Sequence, residues 1–145
     1  MTSLRELRAA ILENRAQLQA ALHGAAARWE TTPPANSGDE AWSPRQVAEH
    51  MIGAEWYFTN NIAQACGAPA MERPALDVSS PAAAAATVTR VGATCDNILR
   101  HVSEQDLAKG RAIGQFGTQT VEWMLATMDG HSRDHLQQLK AAASG

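Results

Sequence analysis

Two histidines four residues apart, His131 and His135, lie in a stretch with helical periodicity over residues 120–139. This spacing places both imidazoles on one helix face, one turn apart, where their ring nitrogens can reach a single metal ion. The same face carries the apolar residues Val121, Met124, Met128 and Leu139. The pattern therefore predicts that the two rings point toward the core and that they provide two ligands of a metal site.

A third histidine, His50, lies on the apolar stripe of another predicted helix. A single buried histidine is usually a hydrogen-bonded core residue. Three buried imidazoles would each lose hydration unless each found a partner, and one metal ion satisfies all three at once. Three imidazole ligands also leave a coordination position open, which is typical of a catalytic ion. Zn²⁺ and Ni²⁺ suit such ligands best, and Fe²⁺, Mn²⁺ and Co²⁺ are also compatible.

The other polar residues near these positions are weaker candidates. His23 and His101 fall near predicted helix ends, where a surface or capping role is expected. His131-Ser-Arg-Asp-His135 is superficially similar to the H-x-x-E-H motif of zinc peptidases. Asp134, with its shorter side chain, would reach a bound water poorly, so it is only a weak candidate for a general base or for a group that orients a ligand. Asp129 and Glu49 are expected to point outward.

Four predicted helices position the histidines. The capping box from Ser3 to Glu6 opens the first, which runs to about Trp29. Ser43 and Pro44, followed by Gln46, open the second, which ends before Gly67. The same Ser-Pro signature at residues 80–81 opens the third, which runs to about residue 102, and the fourth runs from about residue 118 or 119 to about residue 142.

The connections show turn and loop signals. Residues 31–39 and 67–79 are predicted loops, residues 103–110 a short capped helical turn, and residues 111–117 irregular or weakly extended. The fold class is therefore all-α, a four-helix bundle formed by a single domain over residues 1–145. The connection lengths leave the relative directions of the helices open.

Aromatic residues and one glycine accompany the histidines. Trp42 precedes the second helix and is expected to pack its entry against the core. Three further aromatics lie at helical spacing, which is more typical of core packing than of a pocket mouth or a dimer face: Trp56, Tyr57 and Trp123. Gly130 lies inside the fourth helix, where it indicates close approach of a neighbouring helix, room for a ligand, or a tolerated weakness.

Composition excludes several function classes. The 145 residues are 45% apolar and 5% aromatic, with no run long enough to cross a bilayer and no apolar signal core at the N-terminus. The net charge of −3 comes without a basic stripe, so neither nucleic acid nor membrane is an expected partner. We expect a cytoplasmic protein in which Cys66 and Cys95 are thiols rather than a disulfide.

Two motifs resemble those of one family. Trp42-Ser-Pro-Arg-Gln-Val-Ala-Glu-His50, of the form W-S-x(6)-H, looks like the entry to the second helix of the DinB-like (DinB/YfiT) superfamily of metal-dependent enzymes. The segment 120–139, with its H-x(3)-H motif, looks like that family's final helix. The resemblance covers essentially the whole chain by length and helix order.

The resemblance implies a four-helix bundle with an unusual connection order and a histidine triad that binds one divalent metal, mapping onto His50, His131 and His135. Some relatives are thiol-dependent transferases or isomerases that use mycothiol or bacillithiol, and homodimers are common. The extra C-terminal domain of some isomerase relatives is not expected here. No basic cluster for a thiol cofactor's carboxylates is evident, although four arginines lie in loops and near helix ends: Arg45, Arg73, Arg111 and Arg133.

Three functions remain open from the sequence. The first is a metalloenzyme in which the ion activates a low-molecular-weight thiol for transfer to a small electrophile, or water for hydrolysis. The second is a non-catalytic bundle that binds metal or a small ligand in a stress response. The third is a dimeric structural protein whose histidines bind metal only adventitiously. The catalytic residues, the substrate and the metal are not identified by the sequence.

Overall fold

The computed structural model describes residues 2–34 and 41–144. Within them the chain forms four long helices, α1 (Leu4–His23), α2 (Pro44–Ala65), α3 (Pro81–Leu99) and α4 (Val121–Ser144). A short antiparallel hairpin, β1 (Gly110–Ala112) and β2 (Thr118–Thr120), immediately precedes α4. The predicted all-α four-helix bundle is confirmed. None of the described helices combines the length and the apolar character needed to span a membrane.

The three predicted helix starts are confirmed by their capping hydrogen bonds. Ser3 Oγ accepts from the Glu6 amide at 3.1 Å. The Ser43 amide donates to Gln46 Oε1 at 2.9 Å, while Ser43 Oγ accepts from the Gln46 amide, which completes a capping box. At α3, Ser80 Oγ accepts from the Ala83 amide at 3.0 Å. These bonds satisfy amide groups that a helix N-terminus otherwise leaves unpaired.

Two helix ends differ from the prediction. The first helix ends at His23, where the amide of its C-cap residue Gly24 donates to the Ala21 carbonyl. A short 3-10 turn follows at Ala26–Arg28, and Trp29 after it is buried, with its indole N–H donating to the Val78 carbonyl at 2.9 Å. The fourth helix begins only at Val121, because the preceding three residues pair with β1.

The connections otherwise follow the prediction. The third helix ends at Leu99, slightly earlier than expected, and the capped turn is a 3-10 helix over Glu104–Ala108. Residues 31–34 and most of 67–79 lie outside helices and strands. Residues 35–39 of the predicted loop lie outside the described residues.

Two core clusters reveal the directions of the helices. The first core cluster contains Leu18 and Leu22 of α1, Val47, Met51 and Ile52 of α2, Val88 and Val91 of α3, and Leu136 and Leu139 of α4. The second core cluster contains Leu4, Leu7 and Ile11 of α1, Phe58 and Ile62 of α2, Leu99 of α3, and Val121, Met124 and Met128 of α4.

The order in which each helix meets these clusters gives an up-down-down-up bundle. Helices α1 and α4 run from the second core cluster to the first, whereas α2 and α3 run the opposite way. Around the bundle α4 packs between α1 and α2, and α3 packs between the same two helices on the other side. The consequence for function is that α2 and α4 are antiparallel neighbours.

A buried ionic network joins three helices near the middle of the bundle. Arg15 of α1 donates to Glu55 of α2 and, at 2.7 Å, to Asp96 of α3. Burial raises the pKa of Glu55 even though Arg15 stabilises its charged form. A Cβ at Gly92 would lie 2.7 Å from the Arg15 side chain, so glycine there leaves room for the guanidinium to cross α3.

Replacing Arg15 with methionine should lower the free energy of unfolding by about 3–5 kcal/mol, because it leaves Glu55 buried without its counter-ion. Urea denaturation measures the change. The double variant Arg15→Met/Glu55→Met should recover most of the loss, since no buried charge remains. Arg45→Met is the matched control: it removes an exposed pair with Glu30 and should cost less than about 1 kcal/mol. An equal loss in both single variants would contradict the buried network.

Gly130 of α4 has no close neighbour, because a Cβ built there would meet nothing within 4 Å. The interpretation of Gly130 as a point where a neighbouring helix approaches closely is therefore wrong. Gly130→Ala should raise the free energy of unfolding by up to about 1 kcal/mol through helix propensity alone. Thermal and urea unfolding of the variant test this, and destabilisation would show that Gly130 provides space that the backbone geometry does not reveal.

Candidate metal centre

His50 of α2 and His131 and His135 of α4 meet where these antiparallel helices pack together. His131 Nε2 lies 3.0 Å from His50 Nε2 and 3.1 Å from His135 Nε2. The three residues form a group that could hold a metal ion, with one nitrogen available from each. The structure therefore brings together all three histidines that the sequence singled out.

Gln138 determines which nitrogen of His135 carries the proton. Its Oε1 lies 2.8 Å from His135 Nδ1. Because an amide oxygen only accepts, His135 Nδ1 donates, and Nε2 keeps a lone pair directed at the other two rings. This arrangement, in which a second polar group fixes the tautomer of a histidine, is typical of metal ligands. The sequence reasoning missed Gln138, although its position three residues after His135 was the available signal.

Hydrogen bonds among the three rings cannot satisfy every nitrogen of this cluster. A neutral imidazole carries one N–H, and His131 Nε2 faces two other Nε2 atoms at once. His135 Nε2 is an acceptor, so His131 can satisfy that contact by directing its own proton at His135. No proton of His131 Nε2 then remains for the contact with His50, which a different group would have to satisfy. One cation at the centre would accept lone pairs from all three nitrogens. The donor set therefore fits a divalent metal.

Electrostatics keeps the central ring neutral. Burial, reinforced by the neighbouring His135 and His50 rings and opposed by the charge of Asp134, lowers the pKa of His131 to about 4. At neutral pH the ring consequently retains the lone pair that ligation requires.

All three rings are half-buried rather than directed into a sealed core as the apolar stripe had suggested. Trp42 covers one side of them: its ring stacks at 5.9 Å on His135, with planes 15° apart, and tilts against His50 at 4.9 Å. Trp42 also packs on the first core cluster, so its predicted packing role is correct but incomplete.

His50 and His131 also line a cleft of about 580 Å³. Its walls are largely aromatic, built from Trp42, Tyr57, Phe58 and Phe116. Tyr57 and Phe116 are 36% and 40% exposed, so these two rings lie at its solvent-facing side. The trio is thus reachable from a cavity of the size that small-molecule sites usually have.

The hairpin before α4 places Phe116 on this wall. Phe116 lies between β1 and β2, next to Gly117, whose φ of +72° favours glycine. Its ring packs against Phe58 at 6.1 Å and Trp123 at 5.7 Å. Trp123 and Trp56 are half-buried against the two core clusters, as predicted, whereas Tyr57 faces the cleft.

The acidic candidates lie in different surroundings. Asp134 is exposed and has no hydrogen bond to any described histidine, so the structure adds no support for it as a general base. Asp129 is half-buried rather than outward-facing, because it accepts from Asn14 Nδ2 at 2.8 Å and pairs with Arg133 at 3.3 Å. Glu49 is exposed, as expected, but lines the cleft.

The remaining candidates from the sequence lie apart from the trio. His23 and His101 are exposed near the ends of α1 and α3, as predicted. Both cysteines are free thiols. Burial raises the pKa of Cys95 to about 12 and raises that of Cys66 as well. Neither is suited to act as a nucleophile, so any thiol chemistry would need a thiol from outside the chain.

Comparison with known families supports the resemblance noted in the sequence. A family model described as the DinB superfamily matches residues 37–139, which include the whole of α2 and α3, the hairpin and all three histidines. No curated protein matches the sequence.

Removing the hydrogen bond that orients His135 should weaken metal binding. We expect Gln138→Leu to lower the affinity for a divalent ion by about 10- to 100-fold, because His135 loses the acceptor that fixes its tautomer. Gln138→Glu, which keeps an acceptor oxygen, should bind at least as tightly as the wild type. Competition with a chromophoric chelator measures both. Gln137→Leu on the exposed side of α4 is the control, and a similar loss there would rule out this role for Gln138.

Proposed function

The chain belongs to the DinB superfamily, and we propose that it is a divalent-metal-dependent enzyme acting on small molecules in the aromatic cleft. One observation carries the proposal. His50 and His131 belong both to the trio that could hold the ion and to the wall of the cleft. A ligand in the cleft would therefore meet the open coordination position, whereas a purely structural site is closed by protein ligands.

The donor set bears on the choice of metal. Three imidazole nitrogens suit Zn²⁺ and Ni²⁺ and are also compatible with Fe²⁺, Mn²⁺ and Co²⁺. Three protein ligands would leave at least one coordination position for substrate or solvent.

The reaction class that the site supports best is transfer of a small thiol to an electrophile. A bound divalent ion would supply Lewis acidity, which lowers the pKa of a coordinated thiol or water. In this transfer the sulfur forms a bond to the electrophilic carbon, the leaving group departs with its bonding electrons, and the thiol proton passes to solvent. The aromatic walls would hold the apolar electrophile and limit competition from water.

Hydrolysis is the second candidate, and Glu49 is the observation that favours it. Glu49 directly precedes His50 in the sequence and lines the cleft, where a base could accept a proton from water. Thiol transfer needs no such base, because thiols are already more acidic than water by several pKa units. Glu49 is exposed to solvent rather than held against the trio, so thiol transfer, which needs no such base, is preferred.

The test begins with metal content and ends with turnover. The full chain, stripped with chelator and reloaded separately with Ni²⁺, Mn²⁺, Fe²⁺, Co²⁺ and Zn²⁺, should bind about one ion, and His131→Ala should bind none. With a chlorinated dinitrobenzene and cysteine as probes, loaded protein should raise the rate at least about tenfold over free thiol. A free thiol at pH 7 is only a few per cent ionised, so full ionisation allows a gain of this order.

The controls separate the alternatives. His101→Ala removes an exposed histidine and should leave both metal content and turnover unchanged. Consumption of an ester without added thiol would favour hydrolysis. Stoichiometric metal with neither reaction would favour a binding protein, and absence of metal from the wild type would overturn the proposal.

A further inference from the structure

Arg73 is the cationic side chain among the described residues that line the aromatic cleft. It comes from the segment that connects α2 to α3, not from the bundle itself. Its guanidinium forms no hydrogen bond or ion pair with any described residue. The three other arginines noted in the sequence differ in this respect or in position: Arg45 pairs with Glu30, Arg133 pairs with Asp129, and Arg111 donates weakly to the carbonyl of its neighbour.

Glycine at position 53 allows the guanidinium to approach the site. A Cβ built on Gly53 would lie 3.3 Å from Arg73 Nη2, so any larger residue would push the guanidinium back by a few tenths of an ångström, whereas Leu76 Cδ1 at 3.9 Å would be in ordinary contact. A glycine inside a helix costs about 1 kcal/mol relative to alanine, which makes the close approach a reason for its presence. Gly53 lies about one helical turn after His50, so the guanidinium packs on α2 beside the turn that carries this histidine.

The connecting segment is held in place on both sides of Arg73. The Met71 amide donates to Asn60 Oδ1 at 2.9 Å, and that asparagine is buried in α2. Val78 is buried, and its carbonyl accepts from the Trp29 indole. These anchors restrict the backbone that carries Arg73, so less conformational freedom is lost when its side chain binds a ligand.

We propose that Arg73 binds the carboxylate of a small-molecule ligand whose reactive end lies at the histidine trio. This inference rests on the proposed function and narrows its substrate class to compact monoanions with an apolar body. A guanidinium favours carboxylates through paired hydrogen bonds. Glu49 lines the same cleft, and its negative charge disfavours a phosphate dianion relative to a carboxylate.

The test measures binding directly in chelator-treated full-length protein, where the carboxylate of a probe has no metal to bind. The probes are phenylpropionate, its neutral amide and phenyl phosphate, and dissociation constants come from calorimetry or from tryptophan fluorescence. Wild type should bind phenylpropionate about tenfold more tightly than the amide, as expected for a charged hydrogen-bonded contact. Phenyl phosphate should bind no more tightly than phenylpropionate.

Variants test whether Arg73 causes the preference for phenylpropionate over its amide. Arg73→Gln should reduce the preference for the carboxylate to about onefold without changing binding of the amide, and Arg73→Lys should retain part of it. Arg111→Gln, with the same change in charge outside the cleft lining, should behave like the wild type. Equal affinity of wild type for acid and amide, or a preference that survives in Arg73→Gln, would overturn the inference, and tighter binding of the phosphate would overturn the assignment of a carboxylate.

Repeating the titrations after loading with Co²⁺ separates this inference from the proposed function. If the wild type binds no cobalt but shows the Arg73-dependent preference, the metalloenzyme proposal fails and the carboxylate site stands. If it binds cobalt without that preference, the carboxylate site fails and the metal centre stands.

Discussion

The packing of α2 against α4 is the contact on which the rest of the site depends. His50 belongs to one helix and His131 and His135 to the other, so the three nitrogens converge only in one axial register. A shift of one residue along α4 would move its histidines by about 1.5 Å and rotate them by about 100° around the helix axis, away from His50. Apolar side chains of both core clusters enforce that register on either side of the site. The stability of the bundle and the geometry of the site are therefore set by the same interface.

The up-down-down-up order explains why the linkers matter as much as the helices. The parallel neighbours α2 and α3 cannot be joined by a tight turn, and α3 and α4 lie on opposite sides of the bundle, so both connections must be long. The segment between α2 and α3 brings Arg73 to the cleft, and the segment between α3 and α4 brings Phe116. In each case a connection required by the topology supplies a wall of the cavity. The helices contribute the histidines, and the connections contribute much of what a ligand would contact.

The sequence was most informative where local rules act. Ser3, Ser43 and Ser80 marked three helix starts because capping depends on residues within one turn. The periodicity of α4 placed His131 and His135 on one face, and the stripe of α2 placed His50 on another, so the trio could be proposed before its geometry was known. The early end of α1 was missed although its C-cap residue, Gly24, was a local signal, whereas the burial of Trp29 against Val78 depends on a residue far away in the sequence.

The cleft could not be predicted in the same way, because its walls come from residues that are distant in sequence and have no shared pattern. Trp42 looked like a residue that packs a helix entry, and only the fold shows that the same ring stacks on His135. Arg73 was one of four arginines in loops and near helix ends until the structure paired Arg45 and Arg133 with carboxylates. Gly53 and Gly130 are both helical glycines, but of these two only Gly53 lies where another part of the chain packs on the helix. That part brings the Arg73 guanidinium onto α2 about one helical turn from His50.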